Sequence, residues 1–161
     1  DEIEKTGLDV KVISAGSTSN YEILGAMDDV TEIPAGSYAL MDGKYRECRN
    51  QFSNAARIMS CVTSIPESGN VITDAGRKAV GVDKGDPYVD HPLHPTIRGL
   101  SAEHGGFDFD PSTDHGLRLG DREWLVPNDI AGAVNVHDYM FATKNGRLEA
   151  VWFLLARGRY N

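Results

Sequence analysis

The sequence predicts a mainly β fold: an antiparallel β-barrel or sandwich-like domain preceded by a short β/α unit. Three observations carry that reading. Apolar and polar residues alternate with period two over many short runs, the pattern of half-buried strands. Turn residues punctuate those runs, and Asn145-Gly146 between two apolar stretches is the strongest hairpin signal in the chain. No long window repeats apolar residues at helical spacing, so helix is expected only within the first thirty residues, with short turns elsewhere.

At 161 residues the chain suits one domain with a real core, and its 40% hydrophobic and 25% charged content is globular. The net charge of −8, with Lys and Arg scattered rather than clustered, argues against a nucleic-acid partner. No apolar run is long enough to span a bilayer as a helix, and the N-terminus has no signal-peptide pattern. Cys48 and Cys61 stand in no metal-ligand spacing and read as reduced thiols of a cytoplasmic protein.

In chain order, Asp1 to Thr6 reads as the last turns of a helix stopped at Gly7, so the chain is expected to be part of something longer. Leu8 to Ile13 forms a short strand. The loop Ser14-Ala15-Gly16-Ser17-Thr18-Ser19-Asn20 follows and leads into a helix from Tyr21, capped by Ser19 or Asn20. A small-residue loop between strand and helix gathers free backbone N–H groups, and the helix dipole favours a dianion there. Many such loops are rich in Gly and Ser for turn geometry alone.

From Val30 the pattern turns to β. Val30 to Ile33 and Ser37 to Met41 are short strands split by Pro34-Ala35-Gly36, and Tyr45 is a candidate for lining a site. Ala55 to Ser64 and Val71 to Gly76 read as a hairpin around Pro66–Asn70. Lys78 could in principle act as a nucleophilic amine, but a surface ion pair is the simpler role. His91 and His94 have H-x-x-H spacing without further ligands and belong to a loop. The stretch Trp124 to Tyr139 is the chain's organising feature. Two β-type runs, Trp124–Val126 and Val134–His137, flank Pro127-Asn128-Asp129 and the small residues Ala131-Gly132-Ala133. That reads either as a site held on a rigid sheet or as a turn whose Asn128 and Asp129 bond their own backbone. Phe141–Thr143 and Leu148–Ala156 form the last hairpin, turning at Lys144-Asn145-Gly146-Arg147.

Six segments carry a resemblance to one family. ISAGSTSNYE (13–22), VTEIPAGSYALMDGKY (30–45), VITDAGRKAVGVDKG (71–85), SAEHG (101–105), PNDIAGAVNVHD (127–138) and VWFLLARGR (151–159) are similar, in order and with compatible spacing, to segments of the D-threonine aldolase/D-serine dehydratase family. These are pyridoxal-phosphate enzymes with an alanine-racemase-type fold.

The resemblance implies that residues 1–29 are the last strand and helix of a TIM-type barrel and that residues 30–161 are the family's β domain. It implies that Ser14, Gly16, Ser17 and Thr18 grip the cofactor phosphate. At the positions where the family places His, and Cys or Asp two residues on, to hold a divalent metal, this chain has Asp129 and Ala131. A degenerate metal site at Asp129 is therefore expected, helped by His104 in the SAEHG turn or by His137 if the fold brings them near, with no tight zinc or manganese. The family's Schiff-base lysine lies upstream of these segments, so the chain alone is expected to be inactive. The implied parent is a homodimeric lyase acting on a small D-amino acid, by aldol cleavage of a D-3-hydroxy amino acid or dehydration of D-serine. The competing expectations are a β domain for dimerisation or binding, without chemistry of its own, and part of a metal-independent racemase-like enzyme.

Overall fold

Antiparallel pairing of short, alternately buried strands organises the chain, and a computed structural model describes residues 2–159 of it. The described residues form eight strands: β1 (Ile58–Ser64), β2 (Asn70–Thr73), β3 (Tyr88–Val89), β4 (Thr96–Leu100), β5 (Gly105–Asp108), β6 (Arg122–Val126), β7 (Tyr139–Lys144) and β8 (Arg147–Phe153). Six of them form one sheet in the order β3-β6-β1-β2-β5-β4, and β7 with β8 makes a separate hairpin. The outer strands β3 and β4 are joined by residues 90–95 and lie against each other. So short a connection forces the sheet to curl until its edges nearly meet, which removes most of the open edge. The mainly β, barrel-like class follows.

The barrel interior is filled by Val62, Val71, Ala75, Val80, Val89, Phe107, Phe109 and Leu125. Strand alternation sends Ser60 and Val62 of β1 inward while Met59 and Thr63 face out. Full burial of a side chain such as Leu125 or Phe107 contributes roughly 1.5–3 kcal/mol relative to leaving it in water, and both are completely covered. A second small cluster joins Ala56, Ile130 and Ala133, with Leu40 and Val134 packed on it.

Short helices lie outside the sheet: α1 (Tyr21–Leu24), α2 (Arg77–Val80) and α3 (Ile130–Asn135), with 3-10 turns at Glu4–Thr6, Ser37–Ala39 and Tyr45–Glu47. The expected stop at Gly7 holds, with φ of 86° closing the first turn. The β1–β2 and β7–β8 hairpins also stand as expected.

Several expectations are corrected. Leu8–Ile13 and Val30–Ile33 are not ladder strands: a single parallel bridge, Ser14 to Glu32, links these segments. Ser37–Met41 is not a strand: a 3-10 turn spans Ser37–Ala39, and Met41 N–H donates to Ser37 O at 2.6 Å; Pro34 and Gly36 interrupt any ladder before it. The strand expected from Ala55 begins at Ile58. Val134–His137 lies at the end of α3, so helix is not confined to the first thirty residues. Four alternating residues satisfy either period, and tertiary contacts at Ile130 decided for helix.

Candidate functional site

The loop from Ser14 to Asn20 is held by its own side chains. Ser17 N–H donates to Asn20 Oδ1 at 2.8 Å, and the Ser17 and Ser19 hydroxyls lie 2.8 Å apart. Asn20 precedes α1 but its side chain reaches back into the loop instead of forward into the helix. Gly16 sits at φ +104°, a conformation that favours glycine, with Leu24 Cδ1 3.1 Å from where a Cβ would stand. Ser14 Oγ donates to Glu32 Oε1 at 2.7 Å. Thr18 is almost wholly buried; its Oγ1 accepts from Tyr38 N–H at 3.0 Å and its carbonyl from Arg49 Nε at 3.3 Å. Thr18 is thus a strut, offering an anion its backbone rather than its hydroxyl. Among the described residues, the Gly16 and Thr18 N–H groups have no protein acceptor.

The Trp124–Tyr139 stretch is strand, bend and helix. Neither polar residue of the bend bonds its own backbone, as an ordinary turn would require. Asn128 Nδ2 donates to Asp86 O at 2.6 Å, and Asp129 pairs with Lys84, Nζ to Oδ1 3.2 Å. The first N–H of α3 is satisfied from far along the chain: Ile130 N–H donates to Asp42 Oδ1 at 2.5 Å. Asp42 is buried, and its Oδ2 has no hydrogen-bond partner among the described residues. Gly43 N–H donates to Pro127 O at 2.8 Å, and a Cβ on Gly43 would lie 2.6 Å from Asn128 Oδ1. Lys84 also lies over the Tyr45 ring, 5.4 Å from its centre. Burial opposes its charge, but the hydrogen bond to Asp129 and the fields of Asp42, Asp129 and Tyr45 prevail and raise its pKa.

Beside this cluster a cleft of about 210 Å³ is lined by Arg46, Asn54, Arg57, Tyr88 and Asp90, among others. Arg46 Nη1 donates to Tyr88 Oη at 3.0 Å, Tyr88 donates to Asn54 Oδ1 at 2.7 Å, and Asn54 Nδ2 donates to Met41 O at 2.8 Å. This relay fixes the Tyr88 hydroxyl and raises the Arg46 pKa. Sequence reasoning singled out Tyr45 but missed Asp42, Lys84, Arg46 and Tyr88. Asp42 lies in the quoted stretch that ends at Tyr45, yet its partner Ile130 is too distant in sequence to be inferred.

The other expected residues lie elsewhere. His104 is exposed in the turn before β5, its N–H on Ser101 Oγ at 3.1 Å, and lines a shallow hollow with Ile72 and Arg98. His137 Nε2 donates to Ala79 O at 2.7 Å and so ties α3 to α2. Lys78 is an exposed ion-pairing residue, 2.6 Å from Glu103.

A family model described as "Putative serine dehydratase domain" matches residues 55–143. The chain belongs to this serine dehydratase domain family. It is 32% identical to a 3-hydroxy-D-aspartate aldolase of Paracoccus denitrificans, over 99% of this chain and 43% of the relative. It is 31% identical to a D-threonine aldolase of Arthrobacter sp., over 97% of this chain and 42% of that protein. The solved D-threonine aldolase of Filomicrobium marinum superposes with a TM-score of 0.90 at 26% identity, covering 99% of this chain and 45% of its own. The D-threo-3-hydroxyaspartate dehydratase of Delftia sp. HT23 shares the fold, with a TM-score of 0.78 at 23% identity, covering 94% of this chain and 46% of its own. The chain thus spans less than half the length of these relatives.

Two groups implied by the serine dehydratase domain family can be tested against the side chains. The residues of the 14–18 loop fit a phosphate group such as that of pyridoxal phosphate through the two unclaimed N–H groups of Gly16 and Thr18. A divalent metal does not fit at Asp129. Its carboxylate already holds an ammonium, Ala131 offers no donor, and among the described residues no three His, Cys, Asp or Glu side chains gather to hold an ion.

Proposed function

We propose that this chain is the C-terminal part of a pyridoxal-phosphate-dependent lyase acting on small D-3-hydroxy amino acids, by aldol cleavage or by dehydration. The observation that carries the reading is similarity to a 3-hydroxy-D-aspartate aldolase over nearly the whole of this chain. Residues 1–29 then correspond to the last βα unit of a barrel, a reading supported by the parallel bridge from Ser14 to Glu32 across α1. Residues 30–161 form the β domain.

When bound, the cofactor supplies an electron sink for the bonds at the substrate's α-carbon. This chain's part is to hold and orient. The Gly16 and Thr18 N–H groups anchor the phosphate, while Ser14 is tied back to Glu32 and Ser17, Ser19 and Asn20 set the loop's shape. Lys84 supplies a fixed positive charge beside Asp129, and the Arg46–Tyr88–Asn54 relay orients a phenol hydroxyl in the adjoining cleft. Lys78 is not the cofactor lysine. It is exposed and ion-paired with Glu103 outside the candidate site, as a surface lysine is.

The test is incubation of the full-length protein with D-threonine, D-3-hydroxyaspartate and D-serine, following glycine, aldehyde and keto-acid products. Turnover of a D isomer and not its L counterpart supports the reading; inertness toward all three overturns it. For the 161-residue chain alone, borohydride treatment with pyridoxal phosphate is expected to leave no stoichiometric lysine adduct by mass spectrometry.

A further inference from the structure

We propose that the Lys84 ammonium is the resident cation of the Asp42–Asp129 cluster, and that it keeps divalent metals out of this site. Four observations carry the inference. Asp129 is nine-tenths buried, and its Oδ1 lies 3.2 Å from Lys84 Nζ. Asp42 is 1% exposed with Oδ1 committed to Ile130 N–H, which leaves Oδ2 without a protein donor among the described residues. A buried carboxylate oxygen without a hydrogen bond persists where a nearby opposite charge compensates it, and Lys84 is close enough for the Asp42 field to act on it. The Tyr45 ring closes a further side of the ammonium at 5.4 Å, a cation–π position. Gly132 completes the pocket, because a Cβ there would stand 2.8 Å from Asp129 Oδ2 and 3.6 Å from Asp83 Oδ2.

These groups fit a monovalent ammonium better than a divalent ion. Asp42, Asp83 and Asp129 with Lys84 carry a formal charge of −2, so the tethered ammonium offsets one of the three carboxylates, the one on Asp129 that it contacts. A metal would have to displace Lys84 or share the site with it, and like charges at such a distance repel strongly in a partly buried place. The ammonium is tethered and cannot be extracted by a chelator. The serine dehydratase domain family implies a metal near Asp129; in this chain a lysine from the α2–β3 loop stands there instead. This inference concerns metal binding by the chain and does not depend on which reaction the whole protein performs.

The test is calorimetric titration with Mn²⁺ of the 161-residue chain and of Lys84→Gln, Lys84→Met and Lys84→Arg variants, with near-ultraviolet circular dichroism to confirm folding. The wild type and Lys84→Arg are expected to show no stoichiometric binding. The neutral variants leave Asp129 without its ion-pair partner and should bind Mn²⁺ at least tenfold more tightly, a gain removed by adding Asp129→Asn. Folded neutral variants with no gain in affinity would overturn the proposal. A measurement on the wild type alone also decides it. In NMR spectra, Mn²⁺ should cause no selective broadening at Asp42 and Asp129, and localised broadening there would refute the exclusion of metal.

Discussion

Glu123 is a carboxyl group that the fold holds against its preference. It is buried on β6, and desolvation raises its pKa; the Trp124 N–H opposes that rise, while the nearby Asp90 and Asp121 add to it. The sign of the effect on stability follows. A carboxyl whose folded pKa exceeds its unfolded value binds its proton more tightly in the native state. Its stabilising contribution is therefore complete below the unfolded pKa and is lost as pH rises through the folded pKa. Glu123→Gln removes the titration and keeps the shape. Urea unfolding should show the variant gaining on the wild type as pH rises from about 4 to 7, and little difference at the acid end. A difference independent of pH would show that Glu123 is not desolvated in solution. The same contest between burial and charge operates at Lys84, where neighbouring carboxylates win instead.

At the scale of elements, α3 shows what local sequence cannot carry. Its six residues are too few to be stable alone, and Asp129 before it makes no capping hydrogen bond. The cap is supplied by Asp42, 88 residues earlier in the chain. Gly81, at φ +69°, lets the backbone of Gly132 and Ala133 approach to where a Cβ would stand 2.9 Å away. Removing an N-terminal acceptor of this kind costs about 0.5–2 kcal/mol. Asp42→Ala should therefore destabilise the chain by about 1–2 kcal/mol in urea unfolding, while Asp42→Asn, whose amide oxygen can still accept from Ile130, should recover most of the loss. Equal effects of the two variants would mean that charge, not capping, is what Asp42 contributes. This explains which elements were legible in the sequence. The β1–β2 and β7–β8 hairpins are set by adjacent residues and their turns, with Asn145 and Gly146 both at positive φ, and they read correctly. Ser37–Met41 and Val134–His137 take their conformation from distant partners, and period-two alternation there misled. The Ser14–Asn20 loop was legible as a small-residue loop leading into a helix, because that pattern is local, but Thr18's commitment to Tyr38 was not.

For the whole molecule, the barrel and the last hairpin differ sharply in how they treat apolar surface. The six-stranded sheet curls on itself and covers Phe107, Leu125 and Val71 completely. The β7–β8 hairpin pairs only with itself and leaves Tyr139, Phe141, Val151, Trp152 and Phe153 largely exposed. Tyr139 stacks edge-on against both Phe141 and Phe153, so these rings form one contiguous patch rather than scattered apolar residues. Isolated exposed apolar side chains are ordinary; a ribbon of aromatic rings is the mark of a surface that another protein surface covers. A two-stranded ribbon is also marginal in water without packing on a face. The expected outcome is concentration-dependent association of the 161-residue chain through this hairpin. Sedimentation velocity should show the weight-average mass rising with concentration. Phe141→Ser with Phe153→Ser should shift the association midpoint to at least tenfold higher concentration, which corresponds to about 1.4 kcal/mol. The barrel should remain folded in that variant, because neither ring touches its core, and the thermal transition of the six-stranded sheet should be nearly unchanged. Association unaffected by the double substitution would place the contact surface elsewhere, for example at the exposed Ile3, Leu8 and Val12 of the N-terminal segment.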